Sequence, residues 1–376
     1  PLIAQSIGAG DRDEAGRFTV AALAISVVGG VIAAVALIVF SEPLLRAFGA
    51  GTEVLESSTT YLQIRALGVP ALLVILAGHG AFRGYQDTRT PLVITLGLNA
   101  VNLALDPILI FGLDWGIAGA AWATVVAQGC GAAWFLVLFF WTRRTELAIG
   151  FGRPQRGAIG SLAGAGKALI LRNASLLAAL TAATFVAARI GTAAVAAHQI
   201  AMQLWIFLAL VIDAFAIAGQ AIVGKELGAG NPAVARAVSN RLLAFGVSFG
   251  VLIALVLSLV SPWLGSWFTS DEAVLVAFAS ILPILIMMQP INGIVFVWDG
   301  IAIGAAAFSV LAWSALAAAA AAIAFLFLVV ALGGELVGVW TGIVVLMLVR
   351  AMTLWWWYGF RFAVPARDPS PSSPGG

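Results

Sequence analysis

Long apolar runs, broken by short polar clusters, organise this chain from end to end. Charge-poor stretches fall at about 14–40, 57–82, 91–112, 116–141, 166–190, 193–224, 236–262, 272–298, 305–332 and 336–360. A hydrocarbon layer about 30 Å thick needs roughly 20 apolar residues per helix, at a rise of about 1.5 Å each. All ten stretches meet that length, so the pattern predicts a polytopic, all-α membrane protein. The strict alternation of an outer-membrane barrel is absent. Gly and Pro recur inside the stretches. Membrane helices tolerate them, because small residues let neighbours pack closely and those neighbours re-satisfy freed backbone groups.

The polar clusters set orientation. One set of alternate loops holds Arg12 and Arg17, Arg83 and Arg89, Arg143, Arg144, Arg153, Arg156 and Lys167, Lys225, Arg236 and Arg241, then Arg361 and Arg367. The other set holds Arg46 and Arg189 with Glu42, Glu53, Glu56, Asp114, Asp271, Glu272 and Glu335. Basic loops stay on the cytoplasmic side. The first set is therefore expected there, in the inner (plasma) membrane, with a cytoplasmic C-terminus.

Composition narrows the function. The 376 residues are 62% hydrophobic and 10% charged, against about 25% charged in a soluble domain. With a mean hydropathy of +1.06, a soluble enzyme is excluded. A single cysteine, Cys130, excludes a disulfide framework and a thiolate cluster. A net charge of +2 is too small for nucleic-acid binding. No Ser–His–Asp, HExxH or paired-acid constellation appears. The GAG turns at 8–10 and 228–230 lack the Lys-Ser/Thr of a phosphate loop. The expectation is therefore a bilayer protein that is no enzyme and has no metal or cofactor.

An internal repeat divides the chain. Residues 2–15, LIAQSIGAGDRDEA, match residues 222–235, IVGKELGAGNPAVA, at an offset of 220. Pro43 and Phe48 recur nearby as Pro262 and Phe268. Both copies sit where a helix exits to the cytoplasm and the next begins. Such a parallel repeat belongs to two-lobed carriers. Residues 166–221 then lack a first-half counterpart, about two helices, and residues 1–7 are expected to be the tail of a helix. Loop 142–165 is either a plain linker or the boundary between the halves.

The stretch FRGYQDTRTPLVITLGLNAVNLALDPILIFGLDWGIAGAAWAT, at 82–124, resembles the multidrug and toxic compound extrusion (MATE) family, in its prokaryotic DNA-damage-inducible protein F-like branch. AAHQIAMQLWIFLALVIDAFAIAGQAIVGKELGAGN, at 196–231, is similar to the eighth helix of that branch. The resemblance implies two pseudo-symmetric six-helix lobes, here with the first span and most of the second missing. It implies lobes at 1–141 and 166–361, a cytoplasmic linker at 142–165 and a disordered cytoplasmic tail at 362–376. It implies a monomer that exports small organic, often cationic compounds by alternating access, in exchange for H⁺ or Na⁺. The family's first-helix Asp has no counterpart here.

Few ionisable groups lie deep in the spans. Asp106 sits about 15 residues into 91–112, where a charge costs roughly 2.5–3.5 kcal/mol. It must be protonated, paired or wet. Asn99 and Asn102 share its helical face, and Pro107 removes a backbone donor beside it. The reading is a proton or cation site, Na⁺ included, or else a carboxyl fastening two helices. The resemblance adds Tyr61, Thr124 and Asn102 to the pocket of Asp106. His79 is either a proton shuttle or an interfacial histidine. Asp213 is either a substrate counter-ion or a buried partner of Arg172 or Gln199. Gln289, Pro290 and Asn292 form a polar break in 272–298. A flippase for lipid-linked precursors would need a strongly cationic cavity, and an inactive truncated remnant is the remaining alternative.

Overall fold

The computed structural model describes residues 1–49, 51–150 and 155–362. Among them fourteen α-helices follow one another, with no strand. They are α1 (Leu2–Gly8), α2 (Arg12–Val39), α3 (Ser41–Ala47), α4 (Thr52–Leu67), α5 (Val69–Gly84), α6 (Arg89–Pro107), α7 (Gly116–Val137), α8 (Arg156–Ile190), α9 (Thr192–Gly228), α10 (Pro232–Leu264), α11 (Glu272–Met287), α12 (Gln289–Gly304), α13 (Phe308–Ala331) and α14 (Leu336–Phe360). Wider π turns continue α6 over Ile108–Gly112 and α7 over Leu138–Thr142.

Among the described residues, eight helices are long and apolar enough to cross a bilayer alone. Two bent pairs bring the spans to ten: α4 with α5, bent by 45°, and α11 with α12, bent by 53°. These ten coincide with the ten charge-poor stretches. Three boundaries differ from the sequence reading. Helix α8 starts at Arg156, so the second half of the 142–165 linker is helical. The bent pair α11–α12 runs on to Gly304 and carries Asp299 inside it. Phe362, placed in the tail, is buried, and its carbonyl accepts from the Arg236 Nη1–H at 2.9 Å. The rest of the expected disordered tail, 363–376, lies outside the described residues.

Two compact units divide at Ala163 and Gly164. In the N-terminal unit α2 packs along α5, while α7 packs on α4, α5 and α6. Its core is aromatic: Phe82 and Phe139 have ring centres 5.0 Å apart, with Phe135 beside them. In the C-terminal unit α9 packs on α12, α10 and α11, and α14 on α13, α12 and α11. Ile212, Ile281, Leu285, Val295, Trp340 and Met347 fill its core. Elsewhere large apolar side chains stay exposed, as lipid contact requires.

The repeat is visible in backbone detail. After α1, the Asp11 N–H donates to the Ser6 carbonyl, and after α9 the Asn231 N–H donates to the Glu226 carbonyl, both at 2.9 Å. Gly10 and Gly230 take φ of +79° and +71° in these turns, a left-handed geometry that suits glycine. The next pair of turns repeats likewise. Asp87 N–H donates to Phe82 O at 2.9 Å and Ala307 N–H to Ala302 O at 2.8 Å.

Candidate functional site

In the N-terminal unit, Asp106 lies one residue before the end of α6, directly ahead of Pro107 and the π turn. Proline cannot donate, so the carbonyl one turn back is freed, and the chain widens. The turn closes through the Leu113 N–H to Ile108 O bond at 2.8 Å. Asp106 is half-buried and makes no hydrogen bond or ion pair with the described residues. Asn102, one turn earlier, buries its Nδ2 without a partner. Asn99 is exposed and its Nδ2 donates to Thr95 O at 2.7 Å.

Helix α7 packs on both α4 and α6, which brings the helices of Tyr61, Thr124 and Asp106 into one cluster. The four expected side chains are not joined by hydrogen bonds. Tyr61 is exposed, and the Thr124 hydroxyl donates back to Ala120 O at 3.0 Å within its own helix. Thr59 Oγ1, also on α4, is a second buried polar atom without a partner, and the sequence reading passed over it. His79 Nε2 lies 3.2 Å from the Thr95 hydroxyl, a link between α5 and α6.

The RGYQDTRTP motif has a structural explanation. Asp87 Oδ1 accepts from the backbone N–H of Arg89 and of Thr90, both at 3.0 Å, which caps α6. Its Oδ2 accepts from the Thr90 hydroxyl at 2.7 Å and from Arg143 Nη1 at 2.6 Å. Burial alone would raise the Asp87 carboxyl, but these hydrogen bonds and the Arg143 charge outweigh it and hold the pKa at about 2.

The C-terminal unit holds the densest buried charge. Asp299 Oδ2 accepts from both Arg172 Nη2 on α8 and Arg350 Nη2 on α14. Asp299 and Arg350 are 4% and 3% exposed, so three charges sit where unpaired ones would be prohibitive. They line a cavity of about 240 Å³ with Leu176, Leu180, Trp205, Asp213 and Phe296. The sequence reading missed Asp299, because it ended the span at 298. Arg172 donates to Asp299 and to Asn173, and Asp213, which the sequence offered as its partner, lines the same cavity.

The remaining expected residues fall elsewhere. Asp213 is exposed at the cavity lining, and Gln199 is exposed near the start of α9. Gln289 and Asn292 are fully buried at the α11–α12 bend. There Gln289 Nε2 donates to Leu285 O at 2.8 Å, and Asn292 Nδ2 donates to Gln289 Oε1 at 3.3 Å. They brace the bend and do not line the cavity.

The sequence profile of the MatE family matches residues 1–108 and 168–328. "Protein DETOXIFICATION 43" of Arabidopsis thaliana is 36% identical over 336 residues, covering 88% of this chain and 62% of that protein. "DNA damage-inducible protein F" of Escherichia coli K12 is 30% identical over 233 residues, 61% of this chain and 50% of that protein. The chain thus spans about three fifths of the length of the plant relative. Among solved structures, "Crystal structure of MATE in the bent conformation" superposes with a TM-score of 0.90 at 22% identity, over 96% of this chain and 81% of that one. That likeness concerns the fold.

Proposed function

Because this chain belongs to the MatE family, whose members are transporters and not enzymes, we propose that it is a secondary active exporter of small organic compounds, xenobiotics and organic cations among them. H⁺ or Na⁺ is the coupling ion, and Asp106 is the group that takes it. The observation that carries this reading is Asp106 itself: a half-buried carboxyl deep in an apolar span, without a fixed cationic mate among the described residues. Such a group exchanges a proton or a small cation more readily than one already locked in an ion pair. The freed backbone at Pro107 and the unpartnered Asn102 Nδ2 lie alongside. Ion binding then shifts the lobe between two packings, and alternating access couples that shift to expulsion of the cargo.

The test is efflux of ethidium from proteoliposomes under an imposed pH or Na⁺ gradient. Asp106→Asn is expected to abolish gradient-driven efflux while the protein still inserts. Undiminished driven efflux in that variant would remove Asp106 from the mechanism.

A further inference from the structure

We infer that the groove between α13 and α14 seats an anionic phospholipid of the surrounding bilayer, its phosphate at Arg361 and an acyl chain laid between the two helices. The inference stands apart from the coupling role of Asp106, since every group it uses lies in the other unit.

Geometry is the first argument. Helices α13 and α14 pack on each other and are joined by the short turn 332–335. Ser309, at the start of α13, and Arg361, just past the end of α14, therefore meet at one membrane edge. Both line a cavity of about 620 Å³. Inward from them the lining is apolar, with Val310, Trp313 and Ala317 on one helix and Met352 and Trp356 on the other. From Ser309 to Ala317 a helix rises about 12 Å. Half of a hydrocarbon core about 30 Å thick is about 15 Å, so the groove runs through most of one leaflet. That is the path of an acyl chain whose headgroup stays at the edge.

The walls suit such a chain. Trp313 and Met352 are 66% and 60% exposed, and lipid is what meets side chains of this kind in a bilayer. The groove floor carries two hydroxyls, Ser314 and Thr353, but these hydrogen-bond each other at 2.6 Å and are already satisfied. Trp356 lies toward the edge, where an indole with one apolar and one polar side belongs at headgroup level.

Charge then names the lipid. Among the described residues that line the groove, Arg361 alone is charged. Its guanidinium carbon lies 4.8 Å from the centre of the Trp356 ring. Stacking occupies one face of the planar group and leaves its N–H edge open. With the described residues this side chain makes no ion pair or hydrogen bond. The Ser309 hydroxyl at the same edge is exposed and likewise without a partner among them. A phosphate diester accepts from both. An organic cation is repelled by Arg361, which separates this groove from a cargo site.

Photo-crosslinking of the purified full chain in nanodiscs of neutral lipid tests this. The probes are phosphatidylglycerol and phosphatidylcholine with the same diazirine-bearing acyl chain, each at trace level, and labelled peptides are mapped by mass spectrometry. Phosphatidylglycerol is expected to label 309–317 and 352–361 roughly fivefold more than phosphatidylcholine, the increment of one arginine at a membrane surface. Arg361→Gln should abolish that preference. Ala317→Trp, which fills the groove without touching a charge, should lower the label from both lipids. Thermal unfolding of each variant verifies the fold. Excess soluble glycerol phosphate or tetraphenylphosphonium should leave the label in place. Equal labelling by the two lipids, a preference that survives Arg361→Gln, unchanged label in folded Ala317→Trp, or displacement by either soluble compound would overturn the inference. So would label that arises only once residues 363–376 are removed, which would make that segment the occupant. Failure of the Asp106 reading alone would leave this result untouched.

Discussion

Pro70 of α5 rests against Gly30 of α2 so closely that a Cβ on Gly30 would lie 2.5 Å from the Pro70 Cα. In the other lobe the relationship recurs, with Gly250 of α10 against α12. There a Cβ would lie 2.5 Å from Gln289 O and 2.8 Å from the Pro290 Cα. Each proline begins the second half of a bent span, one of 45° and one of 53°. The bend leaves no room for a side chain on the facing helix, and backbone is what the added carbon would strike.

Gly250→Ala is therefore expected to destabilise the protein by about 1–3 kcal/mol, the usual cost of overpacking. Gly29→Ala, one position from the N-terminal contact, meets nothing within 4 Å. There the helix preference of alanine should give a gain of up to about 1 kcal/mol. Thermal unfolding in detergent separates the two; equal melting shifts for both would contradict the packing argument.

The two turns of each lobe predict opposite effects for opposite exchanges. Gly230 holds φ +71°, whereas Ala306 holds φ +55° with a side chain. A left-handed residue with a Cβ pays roughly 1–2 kcal/mol. Gly230→Ala should thus lower stability by about 1 kcal/mol, and Ala306→Gly should raise it or leave it level. Melting curves of the two single variants provide the comparison.

Much of this was legible along the chain. All ten spans were, because hydrocarbon forces apolar length on any helix that crosses it. The GAG repeat marked both lobes, because identical turns need the same glycine. Asp299 escaped, since a charge following PINGIVFVW reads as the end of a span. The repeat held the missing signal. Shifted by 220, the Gly68–Pro70 bend falls on Met288–Pro290, which carries the second span to Gly304. Arg172 and Arg350, both deep in apolar segments, also required a buried acid, and only Asp213 was weighed, for Arg172 alone. The π turns after Pro107 and Val137 were not legible, because they depend on tertiary packing more than on local preference.

Acid should loosen the α5–α6 turn of the N-terminal lobe through Asp87. Its carboxyl is held at about 2 against an ordinary 3.8, and its side chain is 21% exposed. The depressed value means its contribution is complete above the ordinary pKa and fades as pH falls through about 2. The shift corresponds to roughly 2 kcal/mol. Asp87→Asn should lose about that much at pH 7 and flatten the fall in melting temperature between pH 4 and pH 2. A variant that keeps the wild-type pH profile would assign that profile to other groups.

Asn102 separates what the fold needs from what the ion needs. Its Nδ2 is buried and unpartnered, a condition that costs about 1–3 kcal/mol without returning a hydrogen bond. A side chain serving packing alone would be better replaced by an apolar one of similar size. Asn102→Leu is therefore expected to match or exceed the wild-type melting temperature, since it removes the stranded amide and keeps the branched heavy-atom outline. The same variant takes a polar group from the face of α6 that carries Asp106, one turn away. Gradient-driven ethidium efflux should fall with it, although nothing in the fold has been weakened. A variant that melts earlier yet pumps normally would invert both expectations, making Asn102 a structural residue outside the proposed ion site.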